Sequence, residues 1–285
     1  MNHNAPISPR PLPRSGDDRL QEALHHARRR GGAVPAQGPD AMITGLAALA
    51  LHRFASAPPT AMVDRIDVLV PRIRRLRSTA RVRVVRAAEL PEPVQIDGVP
   101  VAPVARALAD AVDELSDAGV VRRLLTEAVR GGHCEPGVVV RELNRARLLS
   151  RPHVVDAVDS LLAEGRALAE DRLYEMVRSF GLPDPLWNVD LRLAGGPHLG
   201  GLDAYWPDQA VAVELDTRSP RQDDDALWSE YTRKREVLER LGITVVHVTP
   251  RKLRDAMEQQ ATVVRTALMA ATDRDPAAYV VVLPR

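Results

Sequence analysis

The chain has 285 residues, 45% of them apolar and only 3% aromatic, with a formal net charge of +1. That length supports two domains with cores built mainly from Val, Leu and Ala, and the near-zero charge excludes a bulk polycation that coats nucleic acid. The apolar runs fall short of the roughly 18 to 20 residues that span a bilayer, MNHNAPISPRPLPRSGDD lacks the hydrophobic stretch of a signal peptide, and the single Cys134 can form no internal disulfide, so a cytoplasmic protein without membrane contact is expected.

Residues 1–39 are rich in Pro, Gly and Arg with little apolar periodicity and predict a disordered leader. Within it DDRLQEALHHARRRGG fits either a short helix with a basic end or a solvated tail, the tail being preferred. AMITGLAALALHRF predicts a helix, RIDVLVP and RVRVVRA predict strands, and Asp97-Gly98 marks a turn. VAPVARALADAVDEL, AGVVRRLLTEAVRGG and PGVVVRELNRARLL predict three helices, so residues 40–150 form a small α+β domain. His133 and Cys134 supply at most two of the about four ligands of a structural zinc site.

Residues 151–285 change character. A long helix, HVVDAVDSLLAEGRALAEDRLYEMVRSF, is expected to stop at Gly181. Strands follow at LWNVDLRL, HLGGLDAYW and AVAVELD, then a helix at ALWSEYTRKREVLERLG, a strand at ITVVHV, and a last helix with Thr249 as N-cap and Pro250 at its first position. This order predicts a mixed sheet flanked by helices, an α/β (α+β) class overall.

Strand periodicity places Val211, Val213 and Leu215 on one face and Glu214 and Asp216 on the other. A hairpin turning at Pro207 to Gln209 would bring Asp203 opposite Glu214, with Cβ atoms about 5 Å apart. Carboxylates that close repel, and either Mg²⁺ or solvent and arginine partners would relieve them. On the following helix Leu227, Tyr231, Leu238 and Leu241 form a stripe whose missing position is Lys234, a lysine able to reach those acids or to snorkel to water. His247 reads as a packed or strand-end histidine.

GLPDPLWNVDLRL, GGLDAYWPDQAVAVELDTRS and YTRKREVLERLGITVVHVTPRKL together resemble the very-short-patch-repair-like endonuclease domain, a branch of the PD-(D/E)-x-K nuclease superfamily, across roughly 165–270. The resemblance implies a restriction-endonuclease-like fold and a DNA endonuclease that uses Mg²⁺ or Mn²⁺. It maps the metal ligands onto Asp203 and Glu214, a completing acid onto Glu170 and the basic residue onto Lys234. The lysine expected two residues after the strand acid is Asp216 here, the histidine that often follows is absent, and Arg218 is the nearest substitute. RIDVLVP, DGVPVAPVARALADAV and the helices beyond resemble the C-terminal domain of AbiEi-type antitoxins, which implies a protein partner of toxin–antitoxin type. The resemblance leaves open an alternative, a non-catalytic DNA-binding regulator with a degenerate nuclease fold; phage defence and DNA repair are the processes it brings into view.

Between Pro71 and Ala87 lie seven arginines and no acid. Arg72, Arg74, Arg75, Arg77, Arg81 and Arg83 are candidate contacts to nucleic-acid phosphates, which would position a duplex without reading its sequence. A solvated loop or a partner-binding face is the other reading.

Overall fold

The structure is a computed structural model that describes residues 16–28, 41–217, 225–271 and 280–285, excluding the side chains of 225–231. It divides into two compact units, Met1–Cys134 with Glu142–Val158, and Glu135–Arg141 with Asp159–Arg285. The cuts fall after Cys134, after Arg141 and after Val158.

In the first unit, α1 (Gly16–Arg28) buries Leu20, Ala23, Leu24 and Ala27, a helical stripe at i, i+3, i+4 and i+7. Asp17 and Asp18 in its first turn and His25, His26 and Arg28 in its last suit the helix dipole. The Arg19 guanidinium donates to the Ala61, Val63 and Asp64 carbonyls at 2.9, 2.5 and 2.9 Å. This part of the leader is therefore an ordered helix, and the preferred tail reading is corrected. The rest of the leader, 1–15 and 29–39, lies outside the described residues.

The expected helix from Ala41 also divides. Met42–Thr44 is a strand, β1, because both its edges are taken, by β2 (Ile66–Pro71) and by β5 (Val99–Val101). Helix α2 (Gly45–Leu51) then begins. With β3 (Val82–Ala87) and β4 (Val94–Ile96) the strands form a five-stranded mixed sheet ordered β3-β2-β1-β5-β4. Asp97 and Gly98, both at positive φ (50° and 76°), turn β4 into β5 as the sequence predicts. Helices α3 (Val104–Glu114), α4 (Ala118–Arg130) and α5 (Pro136–Arg145) follow, with the Asp117 carboxylate accepting the Gly119 and Val120 N–H groups to cap α4.

The second unit is built on α6 (Pro152–Ser179), β6 (Leu186–Leu193), β7 (His198–Trp206), β8 (Val211–Leu215), α7 (Asp225–Arg240) and β9 (Thr244–Val248). The predicted last helix is two: α8 (Pro250–Asp255) and α9 (Met257–Ala270) meet at Ala256, whose backbone is not helical (φ −150°, ψ 45°). Thr249 caps α8 as expected, its hydroxyl accepting the Lys252 N–H. A strand not foreseen, β10 (Val280–Pro284), pairs antiparallel with β6 and completes a sheet ordered β10-β6-β7-β8-β9, in which only β8 and β9 run parallel.

Each face of this sheet carries a core. On one side Ala169, Leu173, Met176 and Val177 of α6 and Val264 and Leu268 of α9 pack on Val211, Val213 and Leu215. On the other, Leu238 of α7 packs with Ala212, Tyr205, Leu202 and Leu191. Simple alternation fails at one place in two neighbouring strands. Trp187 packs in the α6 layer but Val189 in the α7 layer; likewise Leu202 belongs to the α7 layer and Ala204 to the α6 layer. Trp187 pairs with Ala204 and Val189 with Leu202, so both strands change facing at the intervening step, Asn188 and Asp203. Asn188 absorbs the change with a positive φ of 49°. Among the described residues no helix is long and apolar enough to cross a membrane.

Candidate functional site

The switch in facing decides what Asp203 can touch. Its side chain, 5% exposed, meets Arg166 of α6: Nη2 donates to Oδ1 at 2.7 Å. Oδ2 accepts the Leu215 backbone N–H at 2.6 Å. The same guanidinium places its Nε 2.8 Å from Oε1 of Glu170, one helical turn along α6. Thus Glu170, Arg166 and Asp203 form one chain of charge on the α6 side. Arg166 was not singled out in the sequence; its signal was the i, i+4 spacing to Glu170.

Glu214 follows β8's regular alternation onto the α7 side. Lys234 Nζ donates to its Oε1 at 2.9 Å and to the Gly201 carbonyl at 2.8 Å. Of the acids Lys234 was expected to reach, it meets Glu214, and its apolar stem crosses Gly200. A Cβ on that glycine would stand 2.7 Å from Lys234 Cε, and Gly200 sits at φ +118°. Only a residue without a side chain leaves that path open. Of the stripe that pointed to Lys234, Leu238 is buried; the side chains of Leu227 and Tyr231 lie outside the described residues, as does Arg218.

The β7–β8 ladder pairs Trp206 with Val211, Tyr205 with Ala212 and Ala204 with Val213. Continuing that register by one step sets Asp203 against Glu214, as the hairpin reading anticipates. The ladder itself ends one pair earlier, and the Asp203 carboxylate takes an N–H of β8 in its place. Asp216 is the next acid along the chain. It lies past the end of β8, its N–H held by the Val248 carbonyl at 2.9 Å, in the wall of a cavity of about 300 Å³ that Arg166, Arg141, Thr217 and Arg251 also line.

His247 is a member that sequence reasoning left out. Parallel pairing sets it beside Glu214, its Nδ1 3.9 Å from Oε2. Burial pushes its pKa below the ordinary histidine value, against the pull of the Glu214 and Asp216 carboxylates and with help from the Arg235 and Lys234 charges. The ring is thus biased toward the neutral form.

Asp203 and Glu214 offer hard carboxylate oxygens on neighbouring strands, and Mg²⁺ takes one or two carboxylates and completes its shell with water and phosphate oxygens. The donor chemistry of each acid fits, but Asp203 turns to the α6 layer and Glu214 to the α7 layer, so the expected acidic row on one face does not converge on a single point. Among the described residues no group of three or more His, Cys, Asp or Glu side chains is gathered to hold an ion. Arg166 occupies Oδ1 of Asp203 and Lys234 occupies Oε1 of Glu214, so an ion bound there exchanges with a cation of the chain itself.

The arginine run divides by role. Arg83 is structural: it donates from Nε and Nη2 to both oxygens of Asp67 at 2.9 and 2.8 Å and to the Asp110 carbonyl at 3.0 Å, and lies 2.5 Å from Glu114. Burial raises the Asp67 pKa, and the Arg83 hydrogen bonds oppose it. Arg74 is buried, whereas Arg72, Arg75, Arg77 and Arg81 are exposed.

No protein-family model, no curated protein and no solved structure matches this chain.

Proposed function

We propose that the second unit is a DNA endonuclease of restriction-endonuclease-like fold that hydrolyses phosphodiester bonds with Mg²⁺ or Mn²⁺. The observation that carries this reading is Lys234 seated on Glu214, one register step from Asp203. A solvated lysine at a helix edge has no need of that contact. Asp203 and Glu214 would have to release Arg166 and Lys234 and converge from opposite layers of the sheet to hold the metal, which would supply an activated water and neutralise charge on the phosphate. The chain's own residues do the rest. Lys234, paired with Glu214, brings a second positive charge to the oxyanion that develops in phosphoryl transfer. Arg166, held by Glu170, fills Asp203 when no ion is present and carries positive charge to the cavity it shares with Asp216. Neutral His247 beside Glu214 is placed to accept a proton.

A second reading, a non-catalytic DNA-binding regulator of antitoxin type, is favoured by one observation. Both acids are already answered by Arg166 and Lys234, which suits a fold kept for shape after its chemistry is lost. Supercoiled plasmid incubated with Mg²⁺ or Mn²⁺ separates the two. Nicking by the wild type and not by Glu214→Ala supports the enzyme; retardation of DNA by both without nicking supports the regulator.

A further inference from the structure

Strands β2 and β3 run parallel in register from Ile66 with Val82 to Pro71 with Ala87. Parallel neighbours are normally joined by a dozen or more residues, usually including a helix. Here the chain returns from Pro71 to Val82 through residues 72–81 alone, with no helix. It does so by running back along the outer edge of β3. The Arg72 N–H meets the Ala87 carbonyl at 2.8 Å, Ser78 Oγ accepts the Val84 N–H at 3.0 Å, and the Thr79 N–H meets the Val82 carbonyl at 2.8 Å. Arg86 clamps the middle, its Nε donating to the Arg74 carbonyl at 3.3 Å and its Nη2 to the Leu76 carbonyl. His26 of α1 holds the Arg77 carbonyl at 3.0 Å.

The segment opens with a turn that sets Arg72 and Ile73 at its tip, with the Arg74 N–H on the Pro71 carbonyl at 3.0 Å, and continues from Arg74 as an extended ridge with a two-residue period. Arg74 and Leu76 turn inward and are buried, Arg75 and Arg77 turn outward, and Ile73 stands exposed at the turn. Ile73 is 76% exposed, the most exposed large apolar side chain among the described residues. Such exposure costs free energy unless something apolar receives it. Among the described residues no carboxylate pairs with Arg72, Arg75 or Arg77, and 71–87 contains no acid that could. A fixed row of one apolar side chain and three unanswered guanidinium groups is complementary to a narrow, strongly negative groove with an apolar stack beneath it.

We infer that this ridge docks in the minor groove of duplex DNA, with Arg72, Arg75 and Arg77 against the groove walls and Ile73 wedged at a base step. The major groove admits a helix or a two-stranded ribbon, neither of which the ridge supplies. An extended arginine-bearing segment enters the minor groove, and isolated Ile, Leu or Met side chains pry apart base steps there and bend the duplex. The choice of DNA rests on the function proposed above, but the ridge belongs to the first unit and its binding is read without any cleavage.

The test uses the full chain in EDTA with a duplex of about two helical turns, dye-labelled at both ends. Anisotropy reports affinity, end-to-end energy transfer reports bending, and netropsin serves as the minor-groove competitor. Wild type is expected to bind, bend and be displaced by netropsin. Ile73→Ala should lose the bend and roughly tenfold in affinity with its salt dependence unchanged. Arg75→Ala and Arg77→Ala should each lower the slope of log K against log salt by about 1. Because all three side chains are exposed, circular dichroism should show these variants folded as the wild type. Bending by Ile73→Ala equal to wild type overturns the wedge. Binding indifferent to netropsin, or capture by phosphatidylserine-containing vesicles in place of the duplex, overturns the minor groove as the partner. If plasmid is never nicked but the ridge variants behave as expected, the nuclease reading fails and this one stands.

Discussion

Lys234 Nζ lies 2.9 Å from Glu214 Oε1 and 2.8 Å from the Gly201 carbonyl, which ties α7 to both β7 and β8 through one ammonium group. Lys234→Met leaves a half-buried carboxylate and a carbonyl without that donor. Thermal or urea unfolding should show a loss of about 2–3 kcal/mol, and plasmid nicking should fall to background. In the double variant with Glu214→Gln the stability losses should be markedly less than additive, since each single change strands the other's partner.

Arg166 is the internal cation of Asp203. Arg166→Ala removes it and leaves Glu170 and a buried Asp203 uncompensated, at a cost of about 2–4 kcal/mol. Adding Mg²⁺ or Mn²⁺ should then raise the melting temperature of the variant more than that of the wild type, because a ligand that binds only the folded state stabilises it. Equal responses would show that no ion enters beside Asp203.

Gly200 has φ +118°, and a Cβ there meets the Lys234 stem. Gly200→Ala combines backbone strain of about 1–3 kcal/mol with displacement of the lysine. Nicking should drop further than the stability loss alone explains, while DNA retardation persists.

His247 titrates below 6.5, with burial the first cause. The native state therefore binds this proton less readily than the unfolded chain does. Above about 6.5 the group is neutral in both states and adds no pH dependence; as pH falls from there toward the depressed native pKa, stability is lost. His247→Asn should flatten the stability profile over that window, and the imidazole resonance followed by NMR should show a midpoint under the ordinary value.

The elements that carry the site were legible because their signals are local. Valine alternation marked β8, the turn after Trp206 set its register with β7, and a lone lysine on an apolar stripe identified Lys234. What escaped depends on contacts distant in sequence. Arg166 sits on a helix surface dense in charge, where nothing but the fold reveals that it faces Asp203. Strand β10 gains its identity from pairing with β6, almost ninety positions earlier in the chain. Helix α1 is short, so its buried stripe was outweighed by the Pro- and Arg-rich surroundings. The reversal at Asn188 and Asp203 contradicts the strict two-residue period that strand reading assumes, and it is the reason Asp203 meets α6 while Glu214 meets α7.

That reversal gives the sheet two halves in opposite phase. Deleting Asn188 and Asp203 together would bring Trp187 next to Val189 and Leu202 next to Ala204, so ordinary pleating alone would leave each of these side chains in the layer it now occupies. Asn188 and Asp203 are thus a matched pair of inserted residues that the two cores do not themselves require: the step presents the Asp203 carboxylate to Arg166 and to the Leu215 N–H, and the layers would close without it.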